Sequence, residues 1–118
     1  EIRILAGHNI GFFDLNFIKT KAKKYNIPIK TRYRSFDLCS VTQLIYFKIN
    51  KKFLLDDYKE NAMSLSEVLK FCGLEDNRKT HNALEDCKLT AECFSRLIYG
   101  KSLFCEYNKF KIPEYLIQ

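Results

Sequence analysis

The chain has 118 residues, is 47% hydrophobic, and carries 20 Lys and Arg against 14 Asp and Glu for a net charge of +6. That apolar fraction suits a packed core and excludes a disordered chain, and the length allows one domain or part of one. No apolar run approaches the roughly 20 residues needed to cross a bilayer, which excludes a helical membrane span.

Residues 2–6 form a short apolar run that reads as a buried strand. It ends in Gly7, His8, Asn9 and Ile10, and a helix is expected over residues 12–25. Phe13, Leu15, Phe17, Ile18, Ala22 and Tyr25 give that helix a broad apolar face; Lys19, Lys21, Lys23 and Lys24 give it a basic one. Asp14 falls in its first turn, just past the C-terminal end of the strand, the edge where open α/β sheets hold ligands. The plainer role for such an acid is to face the helix dipole. Asn9 either turns the chain or holds the loop that aims Asp14.

Pro28 marks a loop. Residues 30–36 alternate loosely as a strand ending at Asp37, which reads as a structural cap rather than a catalyst. Residues 38–49 read as an apolar helix carrying Val41, Leu44, Ile45 and Lys48 at helical spacing. The acids Asp56 and Asp57 fall in a solvated loop. Ser64 and Glu67 make a capping box for a helix running to Cys72, and Gly73 stops it. Residues 75–79 are polar and form a loop leading to His81, where mobility suits entry of a substrate.

The last helix ends at Gly100, a C-cap candidate. Leu84, Cys87, Ala91, Phe94 and Ile98 recur at helical spacing and predict its buried stripe, while Glu85, Lys88, Glu92 and Arg96 gather on a flank suited to water. Asp86 leaves that flank. At about 100° per residue it joins a poorly solvated column with Thr90, Cys93 and Leu97, where a carboxylate needs a partner. His81 in the entry loop can converge with Asp86 one turn inside the helix, which sets a base beside a metal-binding acid. The alternative is a first-turn acid and a surface histidine. Beyond Gly100, Phe104, Tyr107, Phe110 and Tyr115 interleave with Lys101, Lys109 and Lys111. Such a tail either stacks on single strands or packs back on its own domain, and packing is the expectation. Lys19–Lys24 and the basic residues 48–52 either track a phosphate backbone or form solvated surface. The five cysteines are odd in number and lack a Cys-x-x-Cys pair, which argues for reduced thiols in a cytoplasmic protein and against zinc.

His8, Asn9, Phe13 and Asp14, followed by His81, Ala83, Leu84 and Asp86 with Thr90, Ala91 and Glu92, resemble in order the second and third motifs of the DEDDh exonuclease superfamily, which includes proofreading exonucleases and ribonuclease T. The resemblance covers residues 2–100. It implies the C-terminal portion of a ribonuclease H-like α/β fold, a mixed sheet flanked by helices, as a partial exonuclease domain over residues 1–100 with a C-terminal extension over residues 101–118. It further implies metal-dependent 3′–5′ hydrolysis of DNA or RNA to nucleoside 5′-monophosphates, in a role such as proofreading, DNA repair or RNA end trimming. In that scheme Asp14 and Asp86 hold Mg²⁺ or Mn²⁺ in a two-metal site, His81 is the general base, and His8, Asn9, Phe12 and Phe13 face the single-stranded 3′ end.

The first motif of the superfamily, Asp-x-Glu on the opening strand, occurs nowhere in the sequence. The chain is therefore expected to be a segment lacking the first strands, inactive alone, whose partners include the missing N-terminal portion or a polymerase. Two alternatives stand beside the enzyme: a non-catalytic relative that binds nucleic acid or a polymerase, and an unrelated helical interaction domain.

Overall fold

The computed structural model describes residues 3–78 and 82–117, the side chains at positions 3 and 31–33 excepted. The described residues form a mixed α/β structure with four α-helices and a two-stranded sheet, and the chain divides into two compact units, Glu1–Leu38 and Cys39–Gln118.

The first unit is a β-α-β crossover. Strand β1 (Arg3–Gly7) leads through a turn into helix α1 (Asp14–Lys24) and on to strand β2 (Thr31–Asp37). The strands pair in parallel, with Leu5 opposite Ser35 and Gly7 opposite Asp37; parallel pairing requires a crossover, which α1 supplies. Leu15 and Ala22 are the buried residues of α1, with Ile10 buried before it. The rest of the expected apolar face is uncovered: Phe13, Phe17, Ile18 and Tyr25 are exposed, as are Ile4 on β1 and Phe36 on β2. Two strands are too narrow a platform to cover a helix face of that width, so the strand expected to be buried is half-exposed instead.

The second unit begins with helix α2 (Leu38–Asn50), which follows β2 without a loop. Its buried positions after Leu38 are Cys39, Thr42 and Gln43, whereas Leu44 is exposed. Gln43 earns its burial by hydrogen bonding. Its amide donates to the Leu54 carbonyl at 2.7 Å and to Asn61 Oδ1 at 2.9 Å, and its Oε1 accepts from the Leu54 amide at 3.0 Å. These bonds hold a tight turn closed by an antiparallel bridge between Leu55 and Asn61. Inside that turn Asp56 Oδ1 accepts from the amides of Tyr58 and Glu60, both at 2.9 Å, so the acid serves the loop itself.

Helix α3 (Leu65–Phe71) starts at Ser64, whose hydroxyl accepts from the Glu67 amide at 3.2 Å. Helix α4 (Ala83–Tyr99) starts at Asn82, whose side chain accepts from the amides of Leu84 at 3.0 Å and Glu85 at 3.4 Å. The core of this unit gathers Met63, Val68, Leu69, Cys72, Leu74, Leu89, Cys93, Leu97 and Leu116. Among the described residues no helix is long and apolar enough to cross a membrane.

The buried face of α4 differs from the expected one. Leu84, Cys87 and Ile98 are exposed, and the buried residues are Leu89, Glu92, Cys93, Arg96 and Leu97. The column of Asp86, Thr90, Cys93 and Leu97 is poorly solvated, as its position on the wheel requires. Glu92 and Arg96, expected to face water, are fully buried and paired at 2.7 Å. They are buried because the C-terminal segment brings its backbone to them. Arg96 also donates to the carbonyls of Cys72 at 3.1 Å, Tyr107 at 3.0 Å and Phe110 at 3.2 Å. Glu92 accepts from Ser102 Oγ at 2.8 Å and from the amides of Leu103 at 2.8 Å and Phe104 at 3.0 Å. A charge pair without water is stable only when its remaining donors and acceptors are met in this way.

The two helix-ending glycines finish the seat of residues 101–117. Gly73 (φ 74°) and Gly100 (φ 62°) both adopt the left-handed conformation of a helix C-cap. A Cβ on Gly73 would lie 2.6 Å from the Lys111 carbonyl oxygen, and one on Gly100 would lie 2.7 Å from that of Leu116. Each glycine therefore ends a helix and admits the returning chain. Tyr115 stacks on Phe71 at 5.2 Å between ring centroids and donates its hydroxyl to the Phe71 carbonyl at 2.7 Å.

Candidate functional site

In the first unit the candidate residues cluster on the turn between β1 and α1. Asn9 adopts φ 55°, a conformation that asparagine tolerates better than most residues. Its amide donates to Asp37 Oδ1 at 2.6 Å, and its carbonyl accepts from the Phe13 amide at 3.1 Å. The acid ending β2 thus pins the turn that follows β1, and Asn9 turns the chain there through its backbone. Asp37 holds the neighbouring strand's turn and directly precedes α2. Asp14 lies exposed in the first turn of α1, preceded by Phe12 and Phe13, which are 87% and 69% exposed. His8 is half-buried at the end of this strand–turn segment.

In the second unit Asp86 occupies the first turn of α4, and its partner is Arg78. The guanidinium NH1 donates to Asp86 Oδ1 at 3.0 Å, with the two side chains 12% and 29% exposed, Arg78 first. The rest of the Arg78 fork is committed to Asp76: Nε donates to Oδ1 and NH2 to Oδ2, each at 2.7 Å. Ser66 on α3 joins both, accepting from Arg78 NH2 at 3.1 Å and donating to Asp76 Oδ2 at 2.6 Å. The Arg78 fork and the Ser66 hydroxyl hold the Asp76 carboxyl well below the usual carboxylate range. The same bonds to Asp76, with a smaller contribution from Asp86, raise Arg78 above its ordinary value. The loop expected to be mobile is therefore fastened through residue 78, because one planar fork spans α3, the loop and α4. His81 lies outside the described residues, and its position relative to Asp86 with it.

Sequence reasoning missed Arg78 although a signal existed. Asp86 stands in a poorly solvated column that demands a cation, and the preceding loop offers Arg78. A cleft of about 450 Å³ lies nearby, lined by Asn77, Asn82, Glu85, Lys88, Tyr107 and Phe110 among others. Burial and the carboxylates of Glu106 and Glu85 raise the Tyr107 phenol at its edge. Asp86 is not among the residues lining this cleft.

Among the described residues no group of three or more His, Cys, Asp or Glu side chains is gathered to hold a metal ion. Asp14 and Asp86 are hard oxygen donors of the kind Mg²⁺ and Mn²⁺ prefer. Asp14 is open to solvent, and Asp86 has one oxygen engaged by Arg78. Each fits such an ion as the contributor of a single carboxylate.

Comparison with curated proteins and with solved structures gave no match. Comparison with protein families gave one over most of the chain: the model of the RNase_T family, described as Exonuclease, matches residues 1–94. That span runs from β1 through α1, β2, α2 and α3 well into α4, and takes in both motif segments. The chain belongs to this exonuclease family.

Proposed function

We propose that the chain contributes to a metal-dependent 3′–5′ exonuclease of the DEDDh type with a ribonuclease H-like fold, which hydrolyses the terminal phosphodiester of a single-stranded DNA or RNA end and releases a nucleoside 5′-monophosphate. The observation that carries the reading is the family match over residues 1–94, in which His8, Asn9, Phe13 and Asp14 precede His81 and Asp86 in the order of the superfamily motifs. The parallel strand–helix–strand unit with Asp14 just beyond a strand end supports it, as does the first-turn placement of Asp86.

Asp14 and Asp86 are the acids that would hold Mg²⁺ or Mn²⁺. When bound, such ions lower the pKa of water and offset the charge that grows on the phosphate. His81 takes the proton of the attacking water, a task suited to an imidazole whose ordinary pKa lies near neutrality. The water oxygen forms its bond to the terminal phosphorus while the bond to the 3′ oxygen of the preceding nucleotide breaks, and that oxygen leaves with the electron pair and takes a proton from solvent to become the new 3′ hydroxyl. Phe12 and Phe13, both exposed beside Asp14, offer faces on which the last base stacks. The net charge of +6 favours the approach of a polyanion.

The test uses full-length protein and single-stranded DNA and RNA labelled at the 5′ end. Wild type with Mg²⁺ or Mn²⁺ is expected to give a ladder shortening from the 3′ end, abolished by EDTA. His81→Ala and Asp86→Ala should each lose at least about a thousandfold in rate, in line with the combined weight of base and metal terms. Endonucleolytic products, activity in EDTA, or near-normal rates in both variants would overturn the reading.

A further inference from the structure

We propose that Arg78 is a positioning residue for Asp86, holding Oδ1 so that the carboxylate presents its other oxygen to a divalent cation. The inference rests on the reading of Asp86 as a metal ligand and adds a residue that the family motifs do not name. Two geometries compete. In one, Arg78 is a stand-in cation that must leave before a metal binds. In the other, it stays and aims the ligand.

The bonds favour the second. Departure would break the fork to Asp76, two contacts at 2.7 Å, and the contact to Ser66 at 3.1 Å, in order to release a single contact at 3.0 Å. Asp76 also cancels the guanidinium charge at close range, so Arg78 and Asp76 act on Asp86 together as a nearly neutral, directed hydrogen-bond donor rather than a competing cation. Ser66 fixes the pair to α3, which makes the donor rigid with respect to the core. Among the described residues Asp86 Oδ2 receives no hydrogen bond, which leaves it open to a ligand role. Fastened outer partners of this kind set the orientation of metal-binding carboxylates, and their loss typically weakens metal affinity about 10- to 100-fold.

The experiment titrates full-length protein with Mn²⁺ alone and counts free Mn²⁺ by electron paramagnetic resonance. Wild type, Arg78→Ala, Arg78→Lys and Asp86→Asn are compared, with thermal unfolding of each as a check on folding. Arg78→Ala is expected to weaken Mn²⁺ binding by at least about tenfold. Arg78→Lys, which keeps the charge but cannot bridge Asp76 and Asp86 at once, should fall between, and it carries the test should the alanine variant not fold. Raising Mn²⁺ should restore nuclease rate in the Arg78 variants. Unchanged or tighter Mn²⁺ binding in the folded Arg78 variants, with binding lost in Asp86→Asn, overturns the positioning role and leaves the metal site standing. Unchanged binding in Asp86→Asn overturns the metal role of Asp86 and this inference together.

Discussion

At the scale of single residues the strongest constraint in the second unit is the buried pair of Glu92 and Arg96. Removing either partner strands a charge without water, so Glu92→Ala and Arg96→Ala should each cost about 3–5 kcal/mol in denaturant unfolding. Replacing both with Leu and Met should cost much less than the sum, because no orphaned charge remains. The pair also imposes a pH dependence. Burial tends to raise the Glu92 carboxyl, but Arg96, Ser102 and the amides of Leu103 and Phe104 outweigh it and lower its pKa below the ordinary 4.5. A group depressed on folding stabilises the native state fully above its unfolded pKa and ceases to do so as pH falls through the folded one. The difference in unfolding temperature between wild type and Glu92→Gln should therefore be constant above about pH 5.5 and shrink on acidification below 4.5. A difference that grows toward low pH would contradict the pairing.

At the scale of elements, the end of α4 also seats the returning chain. Gly100 must adopt a positive φ and leave room for the Leu116 carbonyl, 2.7 Å from where a Cβ would stand. Gly100→Ala should thus cost the left-handed penalty of about 1–2 kcal/mol and also loosen residues 101–117. Limited proteolysis reads the second effect directly: cleavage within the tail should appear in the variant before any cut in α4. Equal protection in variant and wild type would mean that the tail is held without its glycine seat. The same element shows where periodicity succeeds and where it misleads. The C-terminal end of α4 follows from Gly100, a strong local signal, whereas the Asn82 cap at its start emerged only from the structure. Its buried face did not follow from periodicity, because two apolar rows compete on the wheel, one through Leu84 and Ile98 and one through Leu89, Cys93 and Leu97. The second row wins because α3 and the returning tail pack there.

At the scale of the whole molecule, residues 101–117 are part of the second unit rather than an appendage, since they satisfy Glu92 and Arg96 and bury Leu116. Deleting everything after Gly100 is expected to abolish cooperative unfolding of that unit and raise binding of a hydrophobic dye; a truncated chain that unfolds cooperatively near the wild-type temperature would refute this. Local chemistry written in the sequence determined the elements of this protein: the strand and turn before Asp14, the caps at Ser64, Gly73 and Gly100, and the ordered residues that resemble the exonuclease motifs. These depend on neighbours within a few positions, which a sequence displays directly. Tertiary structure alone decided that Glu92 and Arg96 are core and that Asp37 pins the Asn9 turn. In each case a polar side chain finds partners ten or more residues away in the chain, and whether a charge faces water or a backbone carbonyl is a property of the packing, not of the residue.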